Sequence, residues 1–498
     1  KFSLIMKARS IDNRFFNEDR FVNPRVFEIK DSQLLIALNY KDSMKSLHFS
    51  EESIKLAEYL VDKFEYGKVI GSLLKVAPKD YGPLVDDIKR CKEVESPGIF
   101  EQDFYDKGLK RLRYLARVAR VLSRKYDVMI TNPPYIGISA LEAPAKNYAT
   151  KCYPDSKTDM FAMFMETDFI KKNGFLSMIN MHSWMFLSSY EKLRKKIIQQ
   201  KCIINMIHLG AHAFETIGGE VVQTASFVIR NCFIPSNGVY FRLVDEKDKE
   251  AAFLAGGGIV MNSCIFNSLP NNILAYWVSD SFVEIFKKSK PLYMYGDPKQ
   301  GMATADNNRF LRLWQEVSIQ KEYFTATDSI NAVYTGKKWF PYNKGGEYRK
   351  WYGNQDYVVN YYLDGKELKS FNKSVIRNPQ FYFNDCISWS KVSGGNIAFR
   401  YYPKGFLFDV AGCSIFINEE TKRNYINGII NSTVSNYILK ALSPTINYEV
   451  GQISNLPIIE SQQHEAEAVE LVKSNIGLCE QDWDSFEESW NFKKHPLV

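Results

Sequence analysis

The sequence predicts an α/β chain in two parts, a Rossmann-like doubly wound sheet followed by an α+β region. Three observations predict it. Apolar runs short enough for buried strands, residues 126–131, 175–180 and 202–209, alternate with helically spaced segments at residues 159–165 and 188–200. That alternation closes on two apolar runs, residues 224–233 and 239–244, joined by Pro235-Ser236-Asn237-Gly238, so the sheet is expected to finish in an antiparallel pair. Beyond Val244 the rhythm stops, and Tyr and Phe stand among Lys and Arg.

Before the sheet, residues 2–11 carry a helical stripe and residues 25–29 form a strand candidate after Asn23-Pro24. Residues 50–64 have helical spacing with an acidic start at Ser50-Glu51-Glu52. A Pro and Gly interruption spans residues 78–83, and a further helix is expected from about residue 107 to 124. Its arginines, Arg111, Arg113, Arg117, Arg120 and Arg124, form either a solvated face or a contact with a nucleic-acid backbone. The helix beginning at Asp159 is expected to end at Lys171-Lys172-Asn173-Gly174, with a basic last turn and a Gly stop. Past the sheet, residues 281–288 and 464–476 are helical in spacing.

At 498 residues there is room for two or three domains, and 45% hydrophobic with 24% charged residues is ordinary for a soluble chain. A net charge of +7 suits a polyanion without demanding one, and the 14% aromatic content points the same way where it mixes with basic residues. No apolar run reaches the length of a membrane span and no signal peptide is visible. The eight cysteines are scattered without a C-x-x-C pair, so neither a zinc site nor a disulfide framework is indicated, and a reducing cytoplasm is the expected setting. The chain opens at Lys1 inside its first helical stripe, and is read as part of a longer protein.

The chemistry centres on Asn132-Pro133-Pro134-Tyr135, directly after the strand at residues 126–131. Two prolines end that strand abruptly and present the motif at the carboxyl edge of the sheet, where open α/β folds place ligands. The Asn132 side-chain oxygen and the Pro133 carbonyl are both acceptors, able together to hold two N–H groups of an exocyclic amine. Held so, the nitrogen lone pair is freed to attack an electrophilic methyl group, and Tyr135 offers a face for a base. The plain alternative is a proline-stopped strand with a capping Asn.

The motif resembles that of S-adenosylmethionine-dependent amino-methyltransferases, in the form found in the adenine-N6 group. The same four residues also occur in enzymes that methylate glutamine or ribosomal RNA. The residues around it narrow the resemblance: Tyr153-Pro154-Asp155-Ser156-Lys157, residues 159–165, Ser183-Trp184-Met185-Phe186-Leu187, and Gly218-Gly219-Glu220-Val221-Val222-Gln223-Thr224. Together these look like the adenine-specific DNA methyltransferases of bacterial BREX phage-defence systems, and the likeness extends through most of the chain. It implies a methyltransferase domain over residues 1–250, its sheet incomplete at the N-terminal half, with a helical insertion around residues 45–122. A connector over residues 251–299, a DNA target-recognition domain over residues 300–460 and a helical extension over residues 461–498 would follow. No glycine-rich loop follows a strand before Tyr126, and the resemblance places the cofactor loop in an upstream part of the protein.

Carried over residue by residue, the resemblance implies that Asn132, Pro133, Pro134 and Tyr135 are catalytic. Tyr135 and Phe214 would face a flipped adenine from its two sides, and Asn132 and Phe164 would line the S-adenosylmethionine site. His208 and His212 lie close in sequence but lack carboxylate or Cys partners, and read as structural. No metal is called for, because a sulfonium donor is already activated. Double-stranded DNA is the expected partner, with other phage-defence proteins of the same system beside it, and no membrane.

In the second half, residues 300–310 resemble the segment that enters target-recognition domains, although Ala305 stands where relatives often have Gly. Arg309 in this segment is one expected DNA contact. Residues 339–352 interleave aromatic and basic side chains around Gly345-Gly346, which suits a loop following a groove, with Lys344, Arg349 and Lys350 on phosphates. Core packing would account for the aromatics but not for their basic company. Trp389, Lys391, Arg400 and Lys404 are further candidates.

Overall fold

The computed structural model describes residues 7, 10, 25–93, 98, 101–213, 222–442 and 447–495. The chain divides into two units, Lys1–Trp184 with Lys192–Ser263, and Met185–Glu191 with Cys264–Val498. No helix among the described residues is long and apolar enough to cross a membrane.

The first unit opens on helices. α1 (Glu51–Lys63) starts where Ser50 Oγ accepts from the Ser53 N–H at 3.3 Å, with Glu51 and Glu52 in the positively polarised first turn. α2 (Gly82–Glu93) falls where the sequence reading places a break, because a proline in the first turn forfeits only an N–H that has no partner there. α3 (Leu109–Leu122) buries Leu109, Leu112, Leu115 and Ala116, and its Arg111 guanidinium donates to the Asp31 carbonyl at 2.6 Å. The strand expected over residues 25–29 does not form. Glu28 gives its N–H to the Tyr114 hydroxyl of α3 at 2.9 Å and accepts that hydroxyl on its carbonyl at 2.7 Å, which ties the segment to a helix. The stripe at residues 2–11 lies largely outside the described residues.

Six strands follow: β1 (Tyr126–Thr131), β2 (Ile170–Met181), β3 (Cys202–Gly210), β4 (Thr224–Arg230), β5 (Asn237–Arg242) and β6 (Ile259–Asn262). Their order is β1-β2-β4-β3-β5-β6. β1 and β2 are parallel, as are β3 and β5, while β4 runs antiparallel to both β2 and β3. The mixed α/β architecture is as expected, but β4 and β5 are not a terminal hairpin. The reversed strand lies inside the sheet, where both of its edges are hydrogen-bonded and Ala225, Phe227 and Ile229 are buried. β6 then pairs with β5, so the sheet continues past Val244.

Between the strands lie α4 (Ala143–Cys152), α5 (Met160–Met165) and α6 (Glu191–Gln200). α5 stops at Met165, and the lysines and glycine read as its stop open β2 instead. There Asn173 takes φ 68° and donates to the Asn231 carbonyl at 3.1 Å, and the Asn231 N–H returns to the Gly174 carbonyl at 2.8 Å. β1 also departs from the buried strand expected of it. It ends the order of described strands, so Val128 and Ile130 are 51% and 77% exposed.

The second unit is α+β. After α7 (Asp280–Lys288), capped by Ser279, come β7 (Lys290–Pro291), β8 (Asp297–Lys299) and β9 (Leu311–Leu313). α8 (Ser329–Tyr334), β10 (Trp339–Asn343), β11 (Tyr357–Asn360) and α9 (Tyr362–Ser370) follow, then β12 (Cys386–Ser390), β13 (Phe399–Tyr402), β14 (Leu407–Phe408) and β15 (Gly412–Phe416). Two four-stranded sheets result, β14-β10-β11-β9 and β13-β12-β15-β8. Phe340, Tyr342, Val359, Tyr361, Phe383 and Phe408 belong to one apolar core. α10 (Glu420–Ile430) and α11 (Glu465–Asp484) complete the unit, and β16 (Pro457–Ile458) pairs with β7.

Candidate active site

Because β1, β2 and β3 point the same way, their carboxyl ends share one edge of the sheet. Asn132-Pro133-Pro134-Tyr135 leaves β1 at that edge, since a proline cannot donate to the strand ladder. Asn132 and Pro134 are exposed, Pro133 is buried and Tyr135 is half-buried. The Tyr135 hydroxyl stands 3.3 Å from both Asn132 Oδ1 and the Ile179 carbonyl of β2, so its one proton is shared between the motif and the sheet. Its ring meets Phe161 of α5 edge to face, with centroids 6.1 Å apart and planes at 85°. Burial pushes the phenol up to about 12, so it stays a neutral donor at physiological pH. Asn132 is thereby braced on one side while its amide remains open to solvent.

Asp159 fixes the exit of the motif. As the N-cap of α5, its Oδ1 accepts from the Phe161 N–H at 3.2 Å and from the Ile136 N–H at 3.1 Å, and the Met160 N–H donates to the Ile136 carbonyl at 3.0 Å. Burial raises this carboxyl's pKa despite those three backbone donors, Phe161, Ile136 and Met160, which act to lower it. Sequence reasoning passed over this role, although an Asp ahead of a helically spaced apolar run is a capping signal.

At the ends of β2 and β3, His182 Nδ1 and His208 Nε2 lie 2.8 Å apart, both rings buried. His208 therefore pairs with a histidine distant in sequence rather than with His212, which sits at φ 57° in the loop after β3. Phe164 lies on α5 and is 9% exposed, with its carbonyl accepting from Thr167 Oγ1 at 2.8 Å. Phe214 lies outside the described residues, as do Gly218, Gly219, Glu220 and Val221.

The residues expected on DNA all lie in the second unit, and each makes a contact within it. Arg309 pairs with Glu367 at 2.8 Å, Lys344 with the buried Asp409 at 2.8 Å and Lys391 with Glu449 at 3.1 Å. Arg349 packs over the Trp483 ring at 4.9 Å, and Lys350 donates to the Asn431 carbonyl at 2.7 Å. The aromatics of residues 339–342 do not follow a groove: β10 is buried at every position, so its aromatic rings are core. Trp389 and Arg400 are likewise enclosed, which removes them as surface contacts. From inside, Arg400 donates to the carbonyls of Glu347 and Arg349 at 3.4 and 3.2 Å and to Ser390 Oγ at 3.0 Å, fixing the loop that holds Gly345 and Gly346 at φ 86° and 118°.

Residues 4–214 match the family described as Eco57I restriction-modification methylase. All of the chain aligns with the adenine-specific methyltransferase PglX of Lacticaseibacillus casei (strain Zhang), at 37% identity over 523 residues, and with the adenine-specific methyltransferase BrxX of Escherichia coli O9:H4 (strain HS), at 35% over 529 residues. It covers 42% of each of those proteins. Among solved structures, the Type IIL restriction-modification enzyme MmeI in complex with DNA aligns with 73% of this chain and 50% of its own at 12% identity and a TM-score of 0.47. Over its whole length, then, the chain is a relative of the adenine-specific methyltransferases PglX and BrxX, matching about two fifths of each.

Proposed function

We propose that this chain is the target-binding part of an S-adenosylmethionine-dependent DNA adenine-N6 methyltransferase serving phage defence. The observation that carries the reading is the exposed Asn132 amide at the carboxyl edge of the sheet, followed at once by the Pro133 carbonyl and braced by Tyr135. Adenine N6 carries two N–H groups, and Asn132 Oδ1 and the Pro133 carbonyl would each accept one. Both hydrogens being held, the nitrogen lone pair is drawn out of conjugation with the ring and toward an incoming methyl group. A base in duplex DNA reaches such a site only after leaving the stack, and Tyr135, with Phe214, is assigned to receive its faces.

S-adenosylmethionine, when bound, supplies the methyl group as a sulfonium electrophile. Its fit to this chain rests on the open end of β1, where Ile130 and Asn132 are exposed, and on Phe164 as the aromatic assigned to its adenine. Asn132 orients the amine, Tyr135 restrains Asn132, and Asp159 holds the backbone after the motif; the extra proton on the methylated nitrogen is lost to solvent. The second unit is assigned to holding the duplex, and other defence proteins are the expected company. The adenine specificity in the relatives' names supports the choice of base.

The test is Asn132→Ala in the full-length protein, followed by transfer of radiolabelled methyl groups to duplex DNA, RNA and protein. Transfer to DNA adenine should be lost while duplex binding stays within a few-fold of wild type. Retained transfer by the variant, or transfer to RNA or protein instead, overturns the reading.

A further inference from the structure

No sequence motif singles out Lys321, Lys337, Lys338 or Lys366, yet all four line one open cleft of about 690 Å³ in the second unit. The backbone brings them together. The Lys338 N–H donates to the Lys321 carbonyl at 3.0 Å and the Tyr361 N–H donates to the Lys338 carbonyl at 3.0 Å, which sets three chain segments side by side. Lys366 comes from α9, whose first turn is left-handed at Leu363, Asp364 and Gly365, with φ of 49°, 57° and 67°. Such backbone costs about 1–2 kcal/mol at each non-glycine position. It is retained by the Tyr361 hydroxyl on Asp364 Oδ1 at 2.9 Å and the Gly365 N–H on the Tyr361 carbonyl at 3.1 Å, and it leaves Tyr362 exposed on the cleft.

Nearby carboxylates do not neutralise the four lysines. Glu367, the acid in the cleft, is taken by Arg309 at 2.8 Å and by Asn360 Nδ2 at 2.8 Å, and Asp364 by Lys369 and Tyr361. Lys337 Nζ donates to the Gln320 carbonyl, a neutral partner. None of the four ammonium groups forms an ion pair with a described carboxylate, in contrast to Arg309, Lys344 and Lys391. Gathered cations without counter-charge repel one another and raise the potential over the cleft, a cost that an anion relieves. Lysine binds phosphate as a point charge without reading base edges, and an open trough suits a rod-like polyanion better than a single enclosed phosphate.

We propose that this cleft is a sequence-independent binding site for the phosphate backbone of duplex DNA, a deepening that rests on DNA being the substrate as inferred above. The experiment replaces Lys321, Lys337, Lys338 and Lys366 together with Gln in the full-length protein, and in parallel with Arg. Binding to random-sequence duplexes is followed by fluorescence anisotropy across a salt series, with melting curves to show that both variants fold. The Gln variant should bind at least tenfold more weakly at low salt, and its plot of log affinity against log salt should flatten by about three, given roughly 0.9 per neutralised phosphate. The Arg variant should keep the wild-type slope, and bound duplex should protect these lysines from acetylation in the wild type. A Gln variant with wild-type affinity and slope, while the wild type binds DNA, overturns the cleft proposal alone. A wild-type protein that binds no duplex overturns this proposal and the DNA substrate together.

Discussion

His182 Nδ1 and His208 Nε2 share a hydrogen bond of 2.8 Å inside the methylase-like unit, so at least one ring must be neutral. Burial pushes His182 down to about 4, and burial, then the His182 ring and Arg242, push His208 down to about 3. Unfolded rings titrate near 6.5, so below that pH the unfolded state alone takes up protons. Stability is full above about pH 6.5 and falls as the pH drops toward 4, by up to about 1.4 kcal/mol per pH unit for each ring. Urea unfolding between pH 7.5 and 5 should show this slope, and His208→Gln should roughly halve it. An unchanged slope in the variant would remove the pair as its source.

Asp159→Ala takes away one acceptor that serves both the start of α5 and the Ile136 N–H. The lost cap should cost about 1 kcal/mol. Methyl transfer in the whole protein should fall well beyond what that loss explains, because the motif's exit is released, while duplex affinity stays near wild type. Asp159→Asn keeps a side-chain oxygen and should retain most of the transfer. Equal transfer rates for the Ala variant and wild type would refute the anchoring role.

Ala305 sits at φ 58° on an exposed turn, which accounts physically for the glycine that relatives often place there. Ala305→Gly relieves a left-handed alanine at the cost of a looser unfolded chain, and the balance should favour the variant by about 0.5–1 kcal/mol. A denaturant midpoint that moves downward in the variant contradicts this.

Glu322 is 4% exposed, both of its carboxylate oxygens lack a hydrogen-bond partner, and burial pushes its pKa up to about 7. A carboxyl raised in the folded state is stabilising in its protonated form, fully so below about pH 4.5, and that stability is lost as the pH rises through 7. Glu322→Gln should therefore exceed wild type by on the order of 2–3 kcal/mol at pH 8.5, with the gap closing by pH 5. A gap that does not vary with pH would mean the carboxyl never takes up a proton there.

Much of the sheet was legible because β2 and β3 are written as apolar runs, and the site was legible because Asn132 and two prolines end a strand in adjacent positions. Pairing was not legible. Where β4 inserts depends on hydrogen bonds to strands some twenty to fifty residues away, which local turn chemistry at Pro235-Ser236-Asn237-Gly238 cannot report. Nor does sequence say that Arg400 is enclosed while Lys321 is exposed: a cation's burial depends on which carbonyls the fold delivers to it. The aromatics of β10 misled for the same reason, since core rings and groove-lining rings are spelled with the same residues.

Arg400 holds the segment around Arg349 by main-chain oxygens, and every amino acid carries one. That grip is blind to side-chain identity, so positions 347 and 349 are free to vary while the loop keeps its path. A protein pressed to distinguish new sequences could therefore diversify these positions one substitution at a time, with the scaffold beneath them left intact.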